Sequence, residues 1–377
     1  MYHPINLPDC PALDTFNELI RLLLVFGLDQ TQTEPEGKIK ALFIEHFDKN
    51  GFPKAGPFFW RKWEKIKRPL LELIALPVSE KKGILAAFTA DMDLAGRFVE
   101  GRLLSLNLSR NSALSLVEEI VGNCYTDILA DKVVPASVLN TIAPLDRQTV
   151  LRAYLDAQNQ RTPSLKVCPG CDGRPPSVSD GKIHEDLDHF FPKSRYPLLA
   201  VHLLNLTPLC KDCNQSYKGS KDAIADNDDQ VADVHCLHDI FHPYLRPAQP
   251  EVAVNVYRLA DGQPHIVVEP HQNDAQQIAR LHSLLYTLNV NGRWDGDLIE
   301  ERLRPKLEML LLHGWQDDGQ VDEEKLRDGL ATAVATLSRF IGREPGNVAA
   351  LAYARWLAGD GQGQREWVRV METAVMS

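Results

Sequence analysis

The chain has 377 residues, 44% of them hydrophobic and 24% charged, with a formal net charge of −10. That length suffices for two or three domains with buried cores, and the acidic balance excludes a general nucleic-acid coating protein while leaving room for a local basic groove. No stretch reaches the ~18 apolar residues of a membrane span, no secretory leader is apparent, and seven cysteines, an odd number, argue against a disulfide framework. A cytoplasmic protein whose clustered cysteines hold metal fits these features.

Residues 1–160 read as a helical N-terminal domain. Thr15 and Glu18 form a capping-box pattern ahead of the apolar run at 19–28, and Gly27 lies near its end. A second helix is predicted through FFWRKWEKIKR, interrupted at Pro69. Its stretch 54–68 carries six Lys/Arg against one Glu. Phe59, Trp63, Ile66 and Leu70 recur there at helical spacing, which favours an amphipathic helix over a face of stacking aromatics. Ser79 and Asn111 are predicted N-caps of later helices.

Between 161 and 183, prolines and glycines such as Pro163, Pro169, Gly170, Pro175, Pro176 and Gly181 break any regular element. The segment 161–250 reads as a small irregular module. Its acidic stretch DAIADNDDQVAD, 222–233, is expected to be a solvated loop. From 251 to 377 a β-hairpin is followed by helices. Val252, Val254 and Val256 share one face, Asp261-Gly262 makes the turn, and Ile266 and Val268 return. Leu326, Leu330, Val334, Leu337 and Ile341 form a helical apolar face stopped by Gly342, and Asn347 is predicted to cap the next helix. The expected class is α+β, mainly helical.

Cys168 and Cys171 form one C-x2-C, and Cys210 and Cys213 another. Two intervening residues let both sulfurs of a pair converge on one ion, and four thiolates suit a tetrahedral structural zinc. Such an ion would supply much of the folding free energy of a small module. Cys10, Cys124 and Cys236 read as ordinary small hydrophobes.

The loop between the pairs runs EDLDHFFPKSRYPLLAVHLLNLTPLCKDCNQSYKGSK. Asp188-His189 is followed by Asn205, and Asn214 directly follows the last cysteine. Histidine is the side chain best suited to take a proton from water near neutral pH. A carboxylate with an amide oxygen makes an oxygen-only site suited to Mg²⁺ or Mn²⁺. Counting 161–222 gives nine Lys/Arg against seven Asp/Glu, and Lys193, Arg195, Lys211, Lys218 and Lys221 are candidate phosphate contacts. His202 reads as a packed histidine, Glu185 and Asp186 as solvated charge.

This pattern, over about 168–222, resembles the HNH endonuclease family, with FHPY at 241–244 as a weaker extension. The resemblance implies a ββα-metal module with a structural zinc, set between two helical regions. It implies His189 as general base, Asp188 and Asn214 as ligands of the catalytic divalent ion, and Asn205 as a catalytic-site brace that orients His189. The third position is Asn rather than His, a variant that the family contains. The activity implied is hydrolysis of phosphodiester bonds, in DNA or alternatively RNA, leaving 5′-phosphate and 3′-hydroxyl ends. A defence effector working with an ATPase partner fits the resemblance, since the chain lacks a P-loop pattern of its own. A non-catalytic zinc module is the alternative from another class, and it would need only the four cysteines.

Overall fold

The computed structural model describes residues 2–30, 34–62, 64–105, 108–129, 133–174, 177–184, 186–200, 202–224, 236–294, 298–314 and 321–376. Trp63, Pro175, Pro176, Glu185 and most of the acidic stretch, 225–233, lie outside the described residues. The chain is mainly helical with small antiparallel sheets.

Helices α1 (Pro11–Asp29), α2 (Glu36–Lys49), α3 (Ala55–Lys62), α4 (Glu64–Ala75), α5 (Val78–Asp91), α6 (Leu94–Glu100), α7 (Ser112–Leu129), α8 (Ala136–Leu139) and α9 (Arg147–Asn159) come first. Two short antiparallel pairs follow, β1 (Val178–Ser179) with β2 (Lys182–Ile183), and β3 (Asp186–His189) with β4 (Leu206–Leu209). A π-helical turn, Asp212–Lys218, comes next. The predicted hairpin forms from β5 (Val252–Arg258) and β6 (Pro264–Pro270), with Val254 opposite Val268 and Val256 opposite Ile266. Helices α10 (Ala275–Leu288), α11 (Val290–Trp294), α12 (Arg304–Gly314), α13 (Glu323–Arg339), α14 (Asn347–Gly359) and α15 (Gly361–Met376) complete the order.

Several predicted helix ends are displaced. The first helix starts at Pro11, a residue whose fixed φ suits the first helical position. Thr15 is therefore inside it, and Glu18 pairs with Arg21 instead of closing a capping box. Gly27 marks a close approach: a Cβ there would sit 2.8 Å from Leu70 Cδ1 and 2.9 Å from Leu73 Cδ2 of α4. Pro69 does not interrupt its helix. The carbonyl it leaves without a helical donor, Lys65 O, accepts instead from Asn123 Nδ2 of α7 at 3.1 Å.

Ser79 is inside α5, whose cap is Pro77. Asn111 does cap α7, its Oδ1 accepting from Leu114 N at 2.8 Å. Asn347 opens α14 rather than capping it. Its amide donates to Phe340 O, and the cap bond to Val348 N comes from Asp172 Oδ2 at 2.9 Å. Asp222, Ala223 and Ile224, at the start of the stretch expected to be solvated, are buried.

Phe59, Ile66 and Leu70 are buried in the N-terminal core, joined by Trp60. The amphipathic reading of 54–68 holds for them. Apolar contacts do not divide the chain at 161 and 250. One core gathers the N-terminal helices together with Ile183, Leu187, Leu198, Ala200 and Leu206. A second gathers β5–β6 and the C-terminal helices together with Leu94 and Phe98 of α6, Phe190, Phe191 and the cysteine cluster, and a small third holds Ile5, Leu165 and Val167. The segment containing β3 and β4 is the joint between two cores, and its alternating side chains feed both.

Candidate functional site

The two C-x2-C pairs meet. All four sulfurs lie within 4.8 Å of one another. Cys168 Sγ is 3.8 Å from Cys213 Sγ, and Cys171 Sγ is 3.9 Å from Cys210 Sγ. A tetrahedral ion with metal–sulfur bonds of about 2.3 Å has sulfur–sulfur edges of about 3.8 Å, so the donor set fits zinc. Backbone N–H groups of Cys210 and Cys213 point at Cys168 Sγ and Cys210 Sγ, at 3.4 and 3.5 Å. Gly170 has no side chain for a reason of space: a Cβ there would stand 3.0 Å from Cys213 Sγ.

Arg293 of α11 donates from Nη1 to Cys213 Sγ at 2.8 Å and lies over the Tyr217 ring. Its guanidinium would offset the negative charge that four thiolates carry around a bound divalent ion. Nothing in the local sequence marks this arginine, which lies eighty residues from the cysteine it serves. Cys10 and Cys124 are buried among apolar side chains, whereas Cys236 is half-buried.

His189 ends β3. Beyond it, Phe190 N donates to Asn205 O at 2.8 Å, and the chain turns at Pro192, whose carbonyl accepts from Arg195 N and Tyr196 N. Asp188 and His189 sit opposite Thr207 and Leu206 of β4. Both residues line a cavity of about 410 Å³, together with Asn214, Lys193 and Lys218. Asn214 lies near the start of the π-helical turn, directly after Cys213, so the cysteine cluster fixes its place.

The imidazole of His189 donates from Nε2 to Ala200 O at 2.8 Å, which leaves Nδ1 with the free lone pair. Burial pushes this histidine down to about 4; the Ala200 carbonyl opposes the shift, and Lys193 and Lys218 add to it. The ring is therefore neutral at pH 7 and able to accept a proton.

Asp188 is buried. Its Oδ1 accepts from Lys218 Nζ at 3.1 Å, and its Oδ2 is buried with no partner among the described residues. Burial raises its carboxyl above the ordinary range, outweighing the attraction of Lys218. Lys218 also donates to His189 O at 2.6 Å. Its side chain is 3% exposed. Lys218 is thus an internal counter-ion that ties the π-helical turn to the end of β3, not a surface contact for nucleic acid.

Asn205 is fully buried, and its amide is engaged by backbone. Oδ1 accepts from Phe191 N at 2.7 Å, while Nδ2 donates to Leu199 O at 2.8 Å and Phe191 O at 3.2 Å. Its amide thus holds the backbone at Phe191, two residues beyond His189, and at Leu199, next to the Ala200 carbonyl that His189 bonds. With both ends of its amide engaged, it braces the loop between β3 and β4.

The remaining candidates separate. Lys193 lines the cavity, with its ammonium 4.4 Å from the centre of the Tyr125 ring. Arg195 pairs with buried Asp222 at 3.0 Å, and Lys221 donates to Tyr286 O. Neither these two nor the exposed Lys211 lines the cavity. His202 is packed as read, bonding Met92 O. His242 of FHPY is fully buried against Phe98, Phe190 and Phe191, behind the site and not in it.

Two residues were not singled out from the sequence: Tyr125 of α7 and Arg147 of α9, which line the cavity from the N-terminal helices. Tyr125 meets His189 edge to face, ring centres 4.4 Å apart. No spacing pattern links either to the Asp-His pair.

Among the described residues, no helix is long and apolar enough to cross a membrane. No family model matches the chain, and no solved structure matches it. Over 100 residues, 26% of the chain, it is 32% identical to protein ea31 of Escherichia phage lambda, and the match spans 27% of that protein's length.

Proposed function

We propose that the chain is a metal-dependent nuclease of the HNH type, with a structural zinc in the Cys168–Cys171–Cys210–Cys213 cluster. The observation that carries this reading is the convergence of Asp188, His189 and Asn214 on one cavity, beside a four-sulfur cluster that positions Asn214. In this reading β3, β4 and the π-helical turn are the ββα-metal module.

Asp188 and Asn214 are the residues that would hold the catalytic Mg²⁺ or Mn²⁺. The unpartnered Asp188 Oδ2 and an amide oxygen form a hard donor set that suits these ions. The bound ion would supply positive charge to the crowded phosphate oxygens and the departing oxygen. His189 Nδ1 takes the proton of the attacking water, its tautomer fixed by Ala200 O. Water oxygen bonds to phosphorus, the bond from phosphorus to the 3′ oxygen breaks, and that oxygen collects a proton from solvent. Lys193, at the cavity edge, offers charge to a phosphate of the incoming strand.

DNA is the proposed substrate, with RNA as the alternative. A role as an effector of bacterial anti-phage defence, driven by an ATPase partner, rests on the family resemblance alone. The test is plasmid nicking by purified wild type and His189→Ala in Mg²⁺ and in Mn²⁺. Wild type cuts, and the variant retains zinc and fold but cuts at least a hundredfold more slowly, on the scale of about 10²–10⁴ for a general base. Unchanged cleavage by the variant would remove His189 from the mechanism.

A further inference from the structure

The proposed reacting groups do not lie on an open surface. Asp188 is 4% exposed and His189 9%. The cavity that admits solvent to them, about 410 Å³, is walled by Tyr125 of α7 and Arg147 of α9 as well as by the module. Its size is that of a small-molecule site, on the order of 300–1,000 Å³, and not that of a groove that cradles a duplex.

The wall is bolted in place. Gln148, next to Arg147, exchanges two hydrogen bonds with the backbone of Ile183, at 2.9 and 3.0 Å. Arg152 donates to Gly181 O, and Tyr154 OH donates to Leu203 O at 2.7 Å. Leu187 of β3 and Leu198 and Ala200 of the following loop pack into the same core as α7 and α9. The N-terminal helices are therefore fixed parts of the site, not a docking arm that swings away.

Cationic groups line the cavity together with His189. Lys193 stands over the Tyr125 ring, and Arg147 contributes from the first turn of α9. A guanidinium matches phosphate geometry and binds it in a fixed fork. A phosphodiester held within a duplex lies on a stiff backbone, and bringing one nucleotide into a recess requires local unstacking. A single strand is free of most of that cost.

We propose that Arg147 and Lys193 form a phosphate clamp, and that the Tyr125 wall restricts the substrate to a single, flexible nucleic-acid strand. This rests on the nuclease reading for its cleavage arm but not for its binding arm.

The experiment measures both. Binding of a short fluorescent oligonucleotide, alone or annealed to its complement, is followed by anisotropy without divalent ions over a range of salt. Cleavage of the same two substrates is then followed in Mg²⁺ and Mn²⁺. The single strand is bound and cut at least about tenfold better than the duplex. Arg147→Ala weakens single-strand binding and lowers the slope of log affinity against log salt by about 0.7, the loss of one phosphate contact. Arg147→Lys restores most of the slope.

Equal handling of single strand and duplex would overturn the inference. So would an Arg147→Ala variant that loses affinity with an unchanged salt slope, since that is the mark of a structural defect. If the clamp behaviour appears and nothing is cut, the inference stands and the nuclease reading fails.

Discussion

Lys218→Met tests the internal pairing on which the site geometry depends. The ammonium and the Asp188 carboxylate are 3% and 4% exposed and 3.1 Å apart. Removing one partner of such a pair costs about 3–5 kcal/mol, because the other charge stays buried. His189 O loses its 2.6 Å donor as well. The cost has a ceiling, since the Asp188 carboxyl is already raised by burial and escapes by protonating once Lys218 is gone. A carboxyl raised in the folded state binds more protons there than in the unfolded chain. Stability then falls as pH rises above the unfolded value of about 3.9 and levels off past the folded one. The loss is therefore larger at pH 8 than at pH 5. Urea denaturation at both pH values, followed by tryptophan fluorescence and far-UV circular dichroism, measures it. A loss below about 1 kcal/mol, equal at the two pH values, would refute Lys218 as the counter-ion of Asp188.

Other expectations rest on the same geometry. Cys210→Ser should abolish zinc binding, measured by elemental analysis. Because structural zinc sites in small peptides bind with about 10–16 kcal/mol, the loss of ordered structure should show in circular dichroism. Asn205→Ala leaves Phe191 N without its acceptor and Phe191 O without this donor, while Leu199 O keeps only its bond from His202 N. At about 1–3 kcal/mol for a buried unsatisfied group, stability should fall by about 2–4 kcal/mol, with turnover falling too because the carbonyl that holds His189 moves. The pH–rate profile should have its acid limb near 4, where burial places the His189 imidazole. Activity should thus persist from pH 7 down to about pH 5, and a limb near 6.5 would point to an exposed histidine instead.

The features legible in the sequence are local. Two residues between cysteines, an alternating valine run ended by Asp-Gly, and a helical face at Leu326–Leu337 each encode their geometry within a few positions. Asn111 is legible as a cap in the same way. The misreadings are places where a distant residue changes the local outcome. Pro69 stays inside a helix because Asn123 takes the carbonyl it leaves free. Asn347 yields its capping role to Asp172. Lys218, a plausible surface lysine by position, is buried because Asp188 and His189 O both need it.

The candidate site divides along the same line. Asp188, His189 and Asn214 could be found because two fall side by side and the third follows a cysteine. Arg293, Tyr125 and Arg147 could not, since each reaches the module from another part of the fold. One sequence contains no signal for such long-range contacts beyond the bare presence of suitable side chains.

Asp172, the residue after Cys171, is fully buried. Its Oδ1 is 2.7 Å from His3 Nε2, its Oδ2 holds the first turn of α14, and its own carbonyl accepts from Gly346 N at 2.7 Å. The cysteine knuckle thus clasps a segment near position 3 and another near position 347. During synthesis the His3 segment emerges first, yet its partner lies 169 residues later in the chain and the third member of the clasp later still. The bonds of Asn6 to α9 can form earlier, but His3 itself has no clasp until the knuckle has closed and the C-terminal helices have arrived. Loss of metal should then be felt far from the sulfurs, as faster amide exchange at Val348 and at the His3 segment together.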